Sequence, residues 1–114
     1  MGTVRVRSLK DNERALLTAL LTALIAGRPR AEELLGSLAN VRVEEMNDGG
    51  MGGLRFCTSD ARPRRLGVQL VEKEFIDSDG VPIMVAVNLD EYGELYELDI
   101  WKVDFSSLKR FPSA

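Results

Sequence analysis

A chain of 114 residues with 45% hydrophobic and 29% charged side chains has the composition of an ordinary globular protein, and its length favours a single domain over residues 1–114. It contains no histidine and one cysteine, which excludes histidine-based acid–base chemistry, an internal disulfide and the commonest zinc sites. The lone cysteine favours a reducing, cytoplasmic location. The first ten residues lack the apolar run of a signal peptide, and no later apolar stretch is long enough to predict a membrane span.

The net charge of −3 is divided unevenly along the chain. Residues 1–65 carry 11 basic and 8 acidic side chains, a balance of +3, whereas residues 66–114 carry 4 basic and 10 acidic side chains, a balance of −6. This asymmetry indicates two chemically different surfaces, although basic side chains gathered in helices and early loops would give the same count.

Two helices are predicted in the first 40 residues. Leucines recur at three- and four-residue spacing over residues 16–24, and Gly27 followed by Pro29 is typical of a helix end. A second, shorter amphipathic pattern predicts a helix over residues 29–39. Because the link between the two is short, we expect an αα-hairpin.

From residue 41 onwards the apolar period changes to two, which is typical of strands. The apolar phase shifts near Leu70 and Val71, and such a shift inside one strand predicts a β-bulge. Residues 81–89 are apolar on both alternating sets, so we expect both faces of that strand to be covered. The predicted strands are residues 41–46, 54–57, 66–76, 81–89 and 94–105, and residues 4–7 alternate like a short edge strand or arm.

Short links between strands favour antiparallel neighbours. The element order therefore predicts an α+β domain in which an N-terminal helix hairpin packs on one face of a four- to five-stranded antiparallel meander sheet.

Several motifs have a structural interpretation that outweighs a functional one. The glycine-rich residues 47–53 lack the Lys and Ser/Thr of a phosphate-binding loop and predict a wide hairpin. Residues 77–80, DSDG, resemble the start of a calcium loop but lack its ligand spacing, so they predict a hairpin turn.

The basic residues 62–65 have no neighbouring aromatic side chain and predict a solvated loop rather than a nucleic-acid site. Cys57 beside Phe56 predicts a small buried hydrophobe rather than a nucleophile.

The most informative stretch is residues 94–105, ELYELDIWKVDF, which holds the only tryptophan. Alternation divides a strand into two faces, and we assign the face of Tyr96, Leu98 and Ile100 to the core. The opposite face consists of Leu95, Glu97, Asp99, Trp101, Val103 and Phe105.

Glu97, Asp99 and Trp101 form the candidate partner-binding surface. Trp beside charged side chains suits a binding surface, although a solvated sheet face would show the same pattern. Two carboxylates about 7 Å apart on one strand face also suit a metal-binding or acid–base pair, with Asp90 or Asp104 as a further member.

Four stretches resemble a family of small bacterial proteins of unknown function. They are residues 48–56 (DGGMGGLRF), residues 94–105, the turn at residues 77–80, and the segment from Arg7 to Arg14. The resemblance spans nearly the whole chain and implies a bacterial cytosolic protein. It carries no activity and no catalytic residue.

The sequence favours a small cytoplasmic protein-interaction domain rather than an enzyme. One specific form is an immunity or antitoxin-like protein, because a small acidic domain suits the blocking of a basic toxin. A carboxylate-based metal-binding protein or enzyme is one alternative, and a structural homodimer is another. We expect a protein partner or self-association, no cofactor, and no contact with nucleic acid or membrane.

Overall fold

The computed structural model describes residues 6–24, 30–46, 51–57 and 63–113. Parts of several predicted features, including the helix end at Gly27 and Pro29, lie outside the described residues, as do residues 4–5, 47–50 and 62. The elements, in chain order, are β1 (Val6–Ser8), α1 (Asp11–Leu24), α2 (Ala31–Ser37), β2 (Arg42–Glu45), β3 (Leu54–Cys57), β4 (Leu66–Ile76), β5 (Pro82–Asp90) and β6 (Leu95–Lys102).

The six strands form one antiparallel sheet in the order β1-β2-β3-β6-β5-β4. The mixed α+β architecture is confirmed, but the four- to five-stranded meander is wrong, because there is a sixth strand and β6 rather than β4 lies beside β3. Tight turns keep β4, β5 and β6 adjacent. The link from β3 to β4 is residues 58–65, and a chain of that length reaches about 26 Å, whereas three strand spacings need only about 14 Å.

One face of the sheet carries the hydrophobic core. The leucines of α1 at three- and four-residue spacing pack with Leu34 of α2 and Leu38 just after it against the apolar side chains of the central strands. The fully enclosed members, each no more than 1% exposed, are Leu16, Leu17, Leu21, Val43, Leu54, Phe56, Ile83, Val85, Val87 and Leu98.

The first helix begins at an ion pair. Glu13 accepts a 2.8 Å hydrogen bond from the backbone N–H of Lys10, which caps the helix start, and receives both terminal nitrogens of Arg7 at 2.8 and 2.9 Å. Burial alone would raise the pKa of Glu13, but the hydrogen bonds from Arg7 and Lys10 outweigh it and lower that pKa. This contact fastens the edge strand β1 to α1.

The bulge predicted in β4 is confirmed, and a second one precedes it. The register with β5 shifts between Gln69 and Val71, and also between Leu66 and Val68. A Cβ atom at Gly67 would lie 2.3 Å from the carbonyl oxygen of Asp90. Only glycine therefore fits at the first bulge, where the backbone of β4 approaches that of β5 closely.

The C-terminal segment folds back onto the core. Leu108 and Phe111 are partly buried against it. Gly52, in a left-handed conformation with φ 89°, lies under the Phe111 ring, where an added Cβ would be 3.4 Å from the nearest ring carbon. At the described end of the glycine-rich hairpin, two conditions therefore favour glycine. They are the positive φ of Gly52 and the close approach of the Phe111 ring to its backbone.

Candidate functional site

The sheet face opposite the helices, which we call the outer face, is defined by strand register. Directly opposed residues of antiparallel strands share a face, so Trp101 lies beside Met84 and Asp99 lies beside Ala86. In the described ranges, no helix or strand lies over this face. From register, its residues on β4, β5 and β6 are Gln69, Glu72, Glu74, Ile76, Pro82, Met84, Ala86, Asn88, Glu97, Asp99 and Trp101.

The structure brings Glu97, Asp99 and Trp101 together on this outer face, each of them half-buried. The Glu97 carboxylate lies 3.4 Å from the Nη2 atom of Arg55 on β3, and the side-chain amide of Asn88 donates a hydrogen bond to Asp99. Both carboxylates are thus held in place by neighbouring strands.

The assignment of the other face of β6 needs a correction at its first residues. Leu98 and Ile100 are buried in the core as predicted, but Leu95 is also buried and Tyr96 is only half-buried. The reason is a register shift, because Asn88 is opposed by Glu97 while Leu89 is opposed by Leu95. One extra residue in β6 reverses the facing of the residues before it.

The outward charges of three adjacent strands have one sign. Over residues 72–76, 82–88 and 97–101, the charged side chains on the outer face are all carboxylates. Register aligns Glu72, Ala86 and Asp99 in one row across the strands. Ala86 is only 2% exposed, so the carboxylates on either side of it are what a partner would meet in this row.

The next rows along the strands become apolar. Met84 lies between Glu74 and Trp101, and beyond them Ile76 lies beside Pro82. Ile76 is 62% exposed.

The same apolar end continues past β6. The Val103 backbone N–H donates to the Pro82 carbonyl at 3.1 Å, and the Val103 side chain is 47% exposed. The outer face therefore grades from acidic to apolar along its strands, and the apolar end lies next to the turn at residues 77–80.

A buried ion pair sets the start of β6. Asp90 accepts hydrogen bonds from the backbone N–H groups of Tyr92 and Glu94 at 2.8 and 3.0 Å, which close the turn between β5 and β6. Its second oxygen lies 3.1 Å from Nη1 of Arg64, and the Asp90 side chain is 0% exposed. Burial alone would raise the pKa of Asp90, but these donors outweigh it and lower that pKa.

The prediction of a solvated loop at residues 62–65 is wrong for Arg64. Its side chain is 9% exposed. The guanidinium donates to the carbonyl oxygens of Leu95 and Phe56 and lies 5.2 Å from the centroid of the Tyr96 ring. Arg65, its neighbour, is exposed. Nothing local distinguishes two adjacent arginines, since the difference arises from a carboxylate 26 residues later in the chain.

A second buried cation, which sequence reasoning missed, lies at the other end of β6. Lys102 is 0% exposed, and its Nζ lies 3.0 Å from Asp77 and also contacts Asp79. Asp77 further accepts the backbone N–H of Lys109 at 2.7 Å, and Lys102 donates to the carbonyl of Ser107, so the cluster ties the C-terminal segment to the turn. One sequence signal does indicate its burial, because Lys102 continues the two-residue spacing of Leu98 and Ile100 and so falls on the face of β6 that points into the core.

These contacts fix the ionisation of the cluster. Burial opposes the charged forms, but hydrogen bonds from the Lys109 backbone and from Lys102 lower the pKa of Asp77 to about 2. Burial would lower the pKa of Lys102, yet its bonds to Asp79 and Asp77 outweigh this and raise it. The DSDG segment is a hairpin turn, as predicted, in which an internal ammonium group occupies the position between its carboxylates.

The four carboxylates considered for a metal-binding or acid–base site do not lie together. Asp90 is enclosed with Arg64, and Asp104 accepts hydrogen bonds from Ser106 in the turn after β6, so neither joins Glu97 and Asp99. Among the residues that the structure describes, no three Asp, Glu or Cys side chains are grouped as a metal site would require.

Cys57 is half-buried rather than fully buried, and its thiol donates to the Glu44 carboxylate at 3.6 Å. Burial and that carboxylate raise the pKa of the thiol, which disfavours the reactive thiolate. The cysteine borders a cleft of about 250 Å³ between α2 and the sheet. Arg30 and Glu33 at its rim pair with each other at 3.3 Å.

No described helix is long and apolar enough to cross a membrane. Searches of curated proteins and of solved structures returned no match. The profile of one protein family matches residues 6–112, which is nearly the whole chain and includes every strand and helix described above. The chain therefore belongs to the family described as a domain of unknown function, DUF6984.

Proposed function

We propose that this chain is a non-catalytic protein-interaction domain, acting as one unit over residues 1–114 in a bacterial cytoplasm, and that it binds a basic protein through its outer face. Glu97, Asp99 and Trp101 lie at the centre of the proposed surface. An immunity or antitoxin-like role, in which the acidic face covers a basic active surface, is the specific form that this chemistry favours.

The observation that carries the proposal is the one-sided charge of the outer face. Glu72, Glu74, Glu97 and Asp99 are the outward charges of the three strands around Trp101. Glu72 and Asp99 lie in one row on the two strands that flank β5, and Ala86 between them is uncharged, so this row offers negative charge to a partner. A tryptophan within a charged surface has the composition of a binding hot spot.

The same charges argue against a second copy of the chain as the main occupant. Two acidic surfaces of this kind facing each other across a two-fold axis would repel, whereas Lys and Arg of a different protein would be attracted.

Pairing of copies through sheet edges is also disfavoured. The described part of the edge strand β1 is three residues long, and β4, the other edge, is interrupted by two bulges and carries Glu72, Lys73 and Glu74 in succession. Short strands, bulges and edge charges are the features by which natural sheets avoid pairing with another chain.

Site-specific photocrosslinking tests the proposal. A photoreactive phenylalanine analogue replaces Trp101 in one variant and Thr18, an exposed residue of α1, in a matched control. Irradiation of cells that encode the chain is expected to yield one specific adduct with a basic protein from position 101 and none from position 18.

Equal adducts from both positions, or an adduct at position 101 only with a second copy of the chain, would refute the proposal. A Glu97→Lys change in the crosslinking variant provides the charge test, because reversal of one central charge is expected to suppress the adduct.

A further inference from the structure

The outer face is chemically graded, and the grading constrains the shape of what binds it. Its acidic row of Glu72 and Asp99 is followed by the row of Glu74, Met84 and Trp101. The last row consists of Ile76, Pro82 and Val103.

An exposed aromatic side chain follows Val103 two residues later in the chain. Phe105 is 79% exposed and has φ 61°, a left-handed conformation that bulky residues rarely adopt. Its backbone N–H donates to the Lys102 carbonyl at 2.9 Å, so the turn that displays it starts from the buried Lys102. Backbone outliers held by surrounding structure cluster at binding and functional sites.

From these observations we infer that the partner segment is a basic amphipathic helix lying across the strands. Its apolar stripe covers Trp101 and the row of Ile76, Pro82 and Val103, and its Lys or Arg side chains face Glu72 and Asp99. This inference rests on the proposed function and specifies its partner.

The geometry favours a helix over an added strand. The bulges and charges of β4 oppose pairing at that edge, so recognition uses side-chain rows rather than backbone hydrogen bonds. Outward rows lie about 7 Å apart along the strands, and neighbouring strands lie about 5 Å apart. The strand spacing is close to the distance between side chains at i and i+4 on a helix, so a helix lying across the strands can match it.

The charge of the surface selects a basic helix. Over residues 72–76, 82–88 and 97–101 the outward charges are carboxylates, and Arg55, a cation on the same face of β3, is paired with Glu97. A helix that turned acidic side chains towards the row of Glu72 and Asp99 would meet like charges there.

Trp101 provides a direct reporter because it is the only tryptophan of the chain. The probe is a synthetic peptide of about five helical turns containing only Lys, Leu and Ala, with the leucines along one stripe. A second peptide has the same lysines but serine in place of leucine. The inference predicts a saturable blue shift of Trp101 emission with the first peptide and binding weaker by about tenfold with the second.

Matched charge reversals separate this site from general attraction to an acidic protein. Glu72→Lys is expected to weaken binding by about tenfold, whereas Glu32→Lys, an exposed position on α2 with the same change in net charge, is expected to weaken it by less than about twofold. Ile76→Ser tests the apolar end and is expected to weaken binding while leaving the protein folded, since Ile76 is largely exposed.

Equal effects of Glu72→Lys and Glu32→Lys, equal binding of both peptides, or an unchanged Trp101 emission would overturn the inference. The two proposals fail separately. A crosslinked basic partner that contacts position 101 without a helix would overturn the inference alone, and the absence of any specific crosslink would overturn the proposed function.

Discussion

Replacement of Arg64 by methionine is expected to destabilise the protein strongly, although its neighbour Arg65 is exposed. The change removes the cation from Asp90, whose side chain is 0% exposed, and the donor from two backbone carbonyl groups. Methionine keeps an apolar side chain of similar length, so most of the effect comes from the lost polar contacts.

The magnitude follows from the enclosure of the pair. Removal of one partner from a buried ion pair costs about 3–5 kcal/mol, because the other charge remains buried without compensation. The carbonyl groups that lose their donor add to this cost only in part, since the contacts share one guanidinium. Against a total stability of about 5–15 kcal/mol and a urea m-value of about 1.5 kcal/mol/M, the midpoint of unfolding is expected to fall by about 2–3 M.

Urea denaturation followed by Trp101 fluorescence and by far-ultraviolet circular dichroism measures this shift. Arg65→Met is the matched control, because Arg65 is the exposed neighbour and its replacement is expected to change stability by less than about 0.5 kcal/mol. Arg64→Lys keeps the charge but loses the forked geometry, so its midpoint is expected between the other two. If Arg64→Met and Arg65→Met unfold at the same urea concentration, the buried ion pair does not hold the turn as described.

Three further outcomes test other parts of the structure. Lys102→Met is expected to release the C-terminal segment and speed its proteolysis, whereas Lys109→Met, at an exposed position, leaves the cleavage rate unchanged. Gly36→Ala, in α2 with open space around it, is expected to raise stability by about 0.5–1 kcal/mol in thermal unfolding, whereas Gly67→Ala, with its Cβ 2.3 Å from a carbonyl oxygen, lowers it by about 1–3 kcal/mol. Because the pKa of Asp77 is lowered from 3.8 to about 2 by folding, its stabilising effect is complete above the unfolded pKa and is lost as pH falls towards 2. The urea midpoints of the protein and of Asp77→Asn should therefore differ most at neutral pH and converge at low pH, and a constant difference contradicts this assignment.

Most of the structural features that the sequence predicts correctly depend on residues that are close together in the chain. Period-two patterns located β3 and β4 at their observed bounds, and the phase change near Leu70 located a bulge, because side-chain alternation is a local property of a strand. The position of β6 beside β3 depends on a link that skips two strands, and no local pattern encodes that choice.

The errors within the candidate site have the same origin. Alternation predicts the outward placement of Glu97, Asp99 and Trp101. It is wrong for Tyr96, because a single extra residue changes the face of its neighbours. The sequence predicts an exposed Arg64, because its carboxylate partner is distant in the chain and charged side chains without a nearby partner are usually exposed.

The two buried cations explain how an acidic face can be presented on a stable strand. Arg64 with Asp90 holds the residues before β6, and Lys102 with Asp77 holds its last residue. Both pairs lie at the ends of the strand that carries Glu97, Asp99 and Trp101, so the outward carboxylates are positioned by contacts that a partner would not touch. Substitutions at the two pairs should therefore change stability first, whereas outer-face substitutions should change binding with little effect on the unfolding midpoint. That separation distinguishes a recognition surface from a sheet face whose charges serve only solubility, because in the second case the outer-face substitutions would alter neither quantity.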